Sequence, residues 1–276
     1  MTGRTGYRTG EVCWADLQTQ DVEAAKSFYS GVFGWRYEDL PTPDGRSYAK
    51  AFLDNDLVTV IAPQNPQQEA SGAAAQWNIY FAADNAEAIA EEAPQVGGEV
   101  QFGPETVADT GVMVFLAAPG GGTTGVWQAG THFGAARSNE PGALAWAELL
   151  TPEPQAAVGF FQQLFGHEVT EYPQDDGGTY TTLVVNGTEV AGIAPLAAED
   201  DGTDGTGTGR AQWQVYFGVS DVAGAVDAAV AAGAVVLVEP ADGEPEDGEE
   251  AEDGEEAGII ATLQDPQGGV FSLVQV

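Results

Sequence analysis

Residues 14–34 of this chain return at 146–166. Trp14-Ala15-Asp16-Leu17 through Phe33-Gly34 recurs as Trp146-Ala147-Glu148-Leu149 through Phe165-Gly166, a shift of 132 positions. The same shift pairs Tyr48 with Tyr180, and Ile61-Ala62-Pro63 with Ile193-Ala194-Pro195. Ala75-Gln76-Trp77 with Tyr80-Phe81 reappears 136 positions on as Ala211-Gln212-Trp213 with Tyr216-Phe217. Pro119-Gly120-Gly121-Gly122 returns after 147 positions as Pro266-Gln267-Gly268-Gly269. A duplication of this extent constrains the fold strongly, because whatever one half builds the other must build as well. Two units follow, residues 1–137 and 138–276, each of ordinary domain size.

The growing shift locates the insertions. Four added residues fall around Glu199–Gly209 and eleven within Asp242–Glu256, both polar and rich in breakers, hence surface loops. The second insertion holds ten acids and reads as a disordered hairpin tip. It lacks the spacing of a calcium-binding EF-hand loop.

Each half divides again. Glu11–Thr19 has the pattern of a strand. Asp21 then opens a helix with Val22, Ala25, Phe28, Tyr29 and Val32 on one face, and Gly34 closes it. Strands are predicted at Trp35–Leu40, Ser47–Leu53 and Leu57–Ala62, separated by Pro-Asp-Gly and Asn-Asp turns. The order repeats as strand Gln76–Ala82, helix Ala86–Val96, and strands Glu99–Phe102, Gly111–Ala117 and Thr124–Gln128. The chain is therefore an α+β protein of four βαβββ modules.

Composition limits the partners. A hydrophobic content of 43% with 9% aromatics is enough to fill a core. Forty-three acids against eight bases give a net charge of −35, a field that repels nucleic acid and anionic membranes, so neither is expected as a partner. No apolar run reaches the length of a membrane span, and the N-terminus lacks the apolar segment of a signal peptide. Cys13 stands alone, which excludes an intrachain disulfide framework and a multi-thiolate zinc site. A cytoplasmic protein, monomeric or homodimeric, is the expectation.

The residues that carry a family likeness are Asp21-Val22-Glu23-Ala24-Ala25 leading to Phe28-Tyr29, then Val32-Phe33-Gly34-Trp35. The second half contributes Phe160-Phe161, Leu164-Phe165-Gly166 and the turn Asp265-Pro266-Gln267-Gly268. With four βαβββ modules, this resembles the vicinal oxygen chelate superfamily, which includes glyoxalase I, extradiol dioxygenases, fosfomycin-resistance proteins and bleomycin-binding proteins. The tandem, tryptophan-rich form is similar to actinobacterial glyoxalase-like proteins that carry the name of hydroxylases. The resemblance implies that modules pair into two open, curved mixed sheets with helices outside, each sheet wrapping a cavity. It also implies a divalent metal, held by side chains on the first strand of each module and on the last strand after the Asp-Pro-x-Gly turn.

Those positions carry other chemistry here. The first-strand positions are Trp14 and Trp146 in the odd modules and Asn78 and Gln214 in the even ones, and the last-strand positions are Gly125 and Ser272. Indole and glycine cannot ligate a divalent ion, and an amide alone is a weak ligand. No cofactor is expected from this set, with a divalent metal kept as the alternative. His132 lies in the segment between the halves and His167 follows a helix, so both read as structural.

Alternation along the strands gives the cavity face. It carries Trp14, Asp16, Asn78, Tyr80, Gly125 and Trp127 in the first half. In the second it carries Trp146, Glu148, Gln214, Tyr216, Ser272 and Val274. Trp77, Ile79, Phe81 and their equivalents Trp213, Val215, Phe217 face the helices. Aromatic walls with a few polar groups suit a small-molecule pocket, though small barrels are also often packed solid. Asp16 and Glu148 are the candidate general bases, because a carboxylate on an inner face must be solvated, paired or hydrogen-bonded to a neighbouring Tyr or Trp. The leading expectation is a metal-independent binder of a small planar or aromatic molecule. The alternatives are a lyase, isomerase or dioxygenase with a non-standard metal site, and a non-catalytic acidic scaffold.

Overall fold

Asp21 opens α1 (Val22–Phe33) by accepting the Ala24 amide, and Gly34 closes it in the left-handed conformation at φ 71°. The equivalent helix of the second half, α4 (Pro154–Phe165), starts on a proline and ends on Gly166 at φ 75°. A computed structural model describes residues 3–42, 44–174, 178–196, 211–242 and 259–276. The expected loops at 199–209 and 242–256 lie outside the described residues, apart from Asp242, which ends a strand.

In the first half the strands are β1 (Val12–Thr19), β2 (Arg36–Pro41), β3 (Ser47–Leu53), β4 (Asp56–Pro63), β5 (Gln76–Ala82), β6 (Glu99–Val107), β7 (Gly111–Ala118) and β8 (Gly121–Ala129). They form one sheet in the order β2-β3-β4-β1-β5-β8-β7-β6. The second half repeats this with β9 (Leu144–Thr151), β10 (Glu168–Pro173), β11 (Thr179–Val185), β12 (Thr188–Pro195), β13 (Gln212–Val219), β14 (Val235–Asp242), β15 (Ile259–Gln264) and β16 (Val270–Gln275). Its order is β10-β11-β12-β9-β13-β16-β15-β14. Each sheet is mixed: β1 runs parallel to β4 and antiparallel to β5, while β5 runs parallel to β8. Both are open, curved sheets built from two modules joined at their first strands, as the resemblance implies.

Two local differences from the sequence reading have clear causes. The helix predicted at 86–96 is split into α3 (Ala86–Glu92) and a 3-10 turn at Ala93–Val96, because Pro94 offers no amide to an α-helical ladder. A short helix, α2 (Pro66–Ser71), stands where the sequence reading had none. It begins on a capping box in which Asn65 and Gln68 exchange side-chain and backbone bonds.

The helices lie on the sheet faces turned away from the cavities, and these faces meet. Phe33 of α1 packs 5.0 Å from Phe217 of β13, and Phe81 of β5 lies 5.4 Å from Phe161 of α4. Trp77 and Phe217 approach to 4.9 Å directly between the sheets. A single hydrophobic core thus runs through both halves, from Leu17, Ile79 and Phe81 to Leu149, Phe217 and α5 (Val222–Ala231). Trp77, Ile79, Phe81, Trp213, Val215 and Phe217 are all buried in it. The Tyr29 hydroxyl ties the halves further, donating to Asp265 at 2.8 Å while accepting the Trp77 indole N–H at 3.1 Å.

Candidate functional site

The in-register rows of the first sheet assemble the site. Lys50 of β3, Val60 of β4, Asp16 of β1 and Asn78 of β5 stand opposite one another along one row. Trp14, Tyr80, Gly125 and Phe115 form the neighbouring row. Gly125 has no alternative there, because a Cβ would run into the Tyr80 ring, which lies across it. The position that would hold a metal ligand in the resembled superfamily therefore serves as a seat for an aromatic ring.

A cavity of about 550 Å³ opens on this face, lined by Trp14, Asp16, Tyr48, Lys50, Tyr80 and Trp127 among others. Its volume falls in the ordinary range for small-molecule pockets. Asp16 sits on the floor, its two oxygens accepting from the Asn78 amide and the Tyr80 hydroxyl, each at 2.7 Å. Burial pushes its carboxyl up to about 6, against the lowering effect of those two bonds. The charge on Asp16, in turn, adds to burial in holding the Tyr80 hydroxyl protonated, well above the usual range. Asn78 is buried beneath Asp16 and reaches the cavity only through it.

His132 is partly buried, as the sequence reading had it, and it also stands at the cavity. It lines the cavity, with its ring against Trp14 at 4.6 Å and Trp127 at 5.6 Å, both edge-on. Its own carbonyl accepts the Trp127 indole N–H at 2.8 Å and fixes the loop in place. Burial first and then the Lys50 charge lower its imidazole to about 4, so it is neutral near pH 7. Sequence periodicity had no means of finding it, since it stands on a loop after the last strand. His167, by contrast, contacts the carbonyls of Gly10 and Phe161 and ties the N-terminal segment to α4.

The hydrogen-bond inventory of the indoles separates the first half from the second. Of six tryptophans, five donate: Trp35 to Gly142, Trp77 to Tyr29, Trp127 to His132, Trp146 to Tyr180 and Trp213 to Thr124. Trp14 alone has no acceptor among the described residues, and its N–H is not sealed from solvent. That N–H is left to solvent or to a ligand.

In the second half the corresponding polar groups bond to one another among the described residues. Trp146 donates to Tyr180 at 3.0 Å, Tyr216 to Glu148 at 2.6 Å, and Gln214 to Ser272 at 2.9 Å, with Thr262 a further 2.8 Å from Ser272. Burial raises the Glu148 carboxyl against the Tyr216 bond, as it raises Asp16. The repeat places Thr182 where the first half has Lys50, and Val274 where it has Trp127. Trp146 instead borders a smaller hollow, about 290 Å³, at the junction of the halves. Glu148, Gln214, Tyr216 and Ser272 do not line it.

The donor set does not fit the divalent ion implied by the resemblance. No three His, Cys, Asp or Glu side chains converge among the described residues. Asn78 is bonded to Asp16, and Gln214 and Ser272 to each other. Among the described residues no helix is long and apolar enough to cross a membrane.

Two paired mixed sheets with this module order define a tandem protein of the vicinal oxygen chelate type. Comparison with known proteins agrees: the family profile of the Glyoxalase/Bleomycin resistance protein/Dioxygenase superfamily matches residues 12–124, and that of the Glyoxalase-like domain matches residues 146–274. A Mycobacterium tuberculosis protein named "Putative glyoxylase CFP32" is 36% identical over 278 residues, spanning 100% of this chain and 98% of its own. The anthracycline biosynthesis protein DnrV of Streptomyces peucetius is 32% identical, over 99% of this chain and 95% of its own. The Mn(II)-bound glyoxalase from Novosphingobium aromaticivorans shares the fold at a TM-score of 0.65 and 18% identity, over 97% of this chain and 82% of its own. The 2,3-dioxygenase LapB from Pseudomonas sp. KL28 does so at 0.64 and 16%, over 98% and 94%. The chain belongs to the glyoxalase/bleomycin resistance protein/dioxygenase superfamily.

Proposed function

We propose that this protein binds a small planar aromatic molecule in the cavity of its first half, without the metal that its superfamily commonly uses. The observation that carries the reading is a cavity of about 550 Å³ walled by Trp14, Tyr80 and Trp127, in which the Trp14 indole N–H has no protein acceptor among the described residues. A ligand acceptor would supply the missing bond, and the faces and edges of Trp14, Tyr80 and Trp127 would supply apolar contact. Asp16 offers an acceptor on the floor and is the group best placed to take a proton from a bound hydroxyl, since its raised carboxyl lies within reach of neutral pH. The name of DnrV, an anthracycline biosynthesis protein, suggests a ligand class, because anthracyclines are planar fused-ring aromatics.

A thermal-shift screen of planar aromatics, including an anthracycline aglycone, tests this with Trp14→Ala and Asp16→Asn as controls. The expected result is a ligand-dependent rise in Tm that both substitutions weaken. Binding that survives both changes would refute the assignment to this cavity. Elemental analysis of the purified protein addresses the metal: stoichiometric Fe, Mn, Ni or Zn would favour a lyase, isomerase or dioxygenase instead.

A further inference from the structure

The bases of this chain are scarce, and three of them are fully engaged. Lys26 pairs with Glu23 and Asp39, Arg46 with Asp44 and Glu69, and Arg137 with Asp54, Asp56 and Glu140. Lys50 forms no ion pair and no side-chain hydrogen bond among the described residues, although 43 acids surround the eight bases. Its neighbour in register on β2, Glu38, does not reach it. Instead Lys50 lines the cavity, close enough to His132 for its charge to act on that ring. Beside it stand the unpartnered N–H of Trp14 and the Tyr48 hydroxyl, which also has no partner among the described residues. Lys50 is the one cation on the cavity wall and Asp16 the one carboxylate.

The two residues stand apart on the sheet. Asp16 and Lys50 both stand opposite Val60, one on each side of β4, so their backbones are two strand spacings apart, roughly 10 Å. A fused two-ring aromatic substituted at both ends spans such a distance. We propose that the cavity selects a hydroxylated aromatic anion, its hydroxyl donating to Asp16 and its carboxylate or phenolate held by Lys50. A carboxylate ion has room for a further donor beyond Asn78 and Tyr80. The second half has Thr182 at the lysine position, bonded to Glu189 at 2.7 Å, and offers no such cation there. This inference rests on the aromatic-binding reading above and adds the charge of the ligand to it.

The test compares 6-hydroxy-2-naphthoate with its neutral amide, 6-hydroxy-2-naphthamide, by quenching of tryptophan emission at pH 8 and fixed salt. The full chain is used with Lys50→Met and Lys50→Arg variants checked for an unchanged melting profile. The expected result is about 10-fold tighter binding of the naphthoate, in line with a hydrogen bond to a charged group. That preference disappears in Lys50→Met and returns at least in part in Lys50→Arg. Equal binding of the two probes by the wild-type chain, or a preference that survives Lys50→Met, would overturn the charge assignment and leave the aromatic pocket standing. Binding of neither probe would count against both readings.

Discussion

Asp16 shows how a single residue can be poised by its surroundings. Burial moves its carboxyl from an ordinary 3.8 to about 6, a shift on the order of 3 kcal/mol. The sign follows from proton binding: between about pH 4 and 6 the folded chain holds the Asp16 proton and the unfolded chain releases it. Folding stability from this group is therefore highest below pH 4 and falls as the pH rises through 6. Asp16→Asn removes the titration. Denaturant melts of the two proteins at pH 4.5 and pH 7 should show the variant gaining on the wild type by roughly 2 kcal/mol between the two pH values. Parallel losses in both proteins would mean that Asp16 is solvated enough to titrate normally. The sequence placed Asp16 and Tyr80 on one face from alternation alone, and the structure joins them by a hydrogen bond. What alternation could not give is the choice of partner: Asn78 turns to Asp16, whereas its counterpart Gln214, one methylene longer, turns to Ser272.

At the scale of elements, a buried hydrogen-bonded bridge joins the two halves. Tyr29 of α1 bridges Asp265 in the turn before β16 and Trp77 in β5, while Asp265 also accepts the amides of Gln267 and Gly269. Removing the hydroxyl with Tyr29→Phe leaves a buried carboxylate and an indole N–H short of a partner. The expected cost is about 1–3 kcal/mol by urea denaturation. A loss within error of zero would show that water replaces the hydroxyl and that the bridge is incidental. The Asp-Pro-x-Gly turn was legible as a family feature, but its bond to a helix more than two hundred residues earlier was not. Pairings of that separation depend on how the two sheets dock, and no local pattern encodes it. The same limit hid His132, a loop residue whose cavity position is set by the crossing from β8 to β9.

Across the whole molecule, duplication has produced two copies with different fates. The repeat was plain in the sequence, and with it the four βαβββ modules; the strand order within each sheet comes from the structure. Their inequivalence was written there too, in Lys50 against Thr182 and Trp127 against Val274, but it acquires meaning only when the rows are assembled. The first half has a cavity whose wall carries Lys50, whereas among the described residues of the second half Trp146, Glu148, Gln214 and Ser272 are bonded to neighbouring side chains. The two nonetheless share one core, because Phe33, Phe81, Phe161 and Phe217 each bury against the other half. Residues 1–137 expressed alone should therefore lack a cooperative thermal transition, as the docking face of their sheet would be exposed. A sharp transition in that fragment, seen by calorimetry, would show instead that the half folds independently.

The central claim, a metal-independent aromatic site confined to the first half, is tested most directly by isothermal titration of chelator-treated protein with an anthracycline aglycone. One site per chain is predicted, unaffected by chelation and lost in Trp14→Ala. Binding that requires restored metal, or two equivalent sites per chain, would contradict the account.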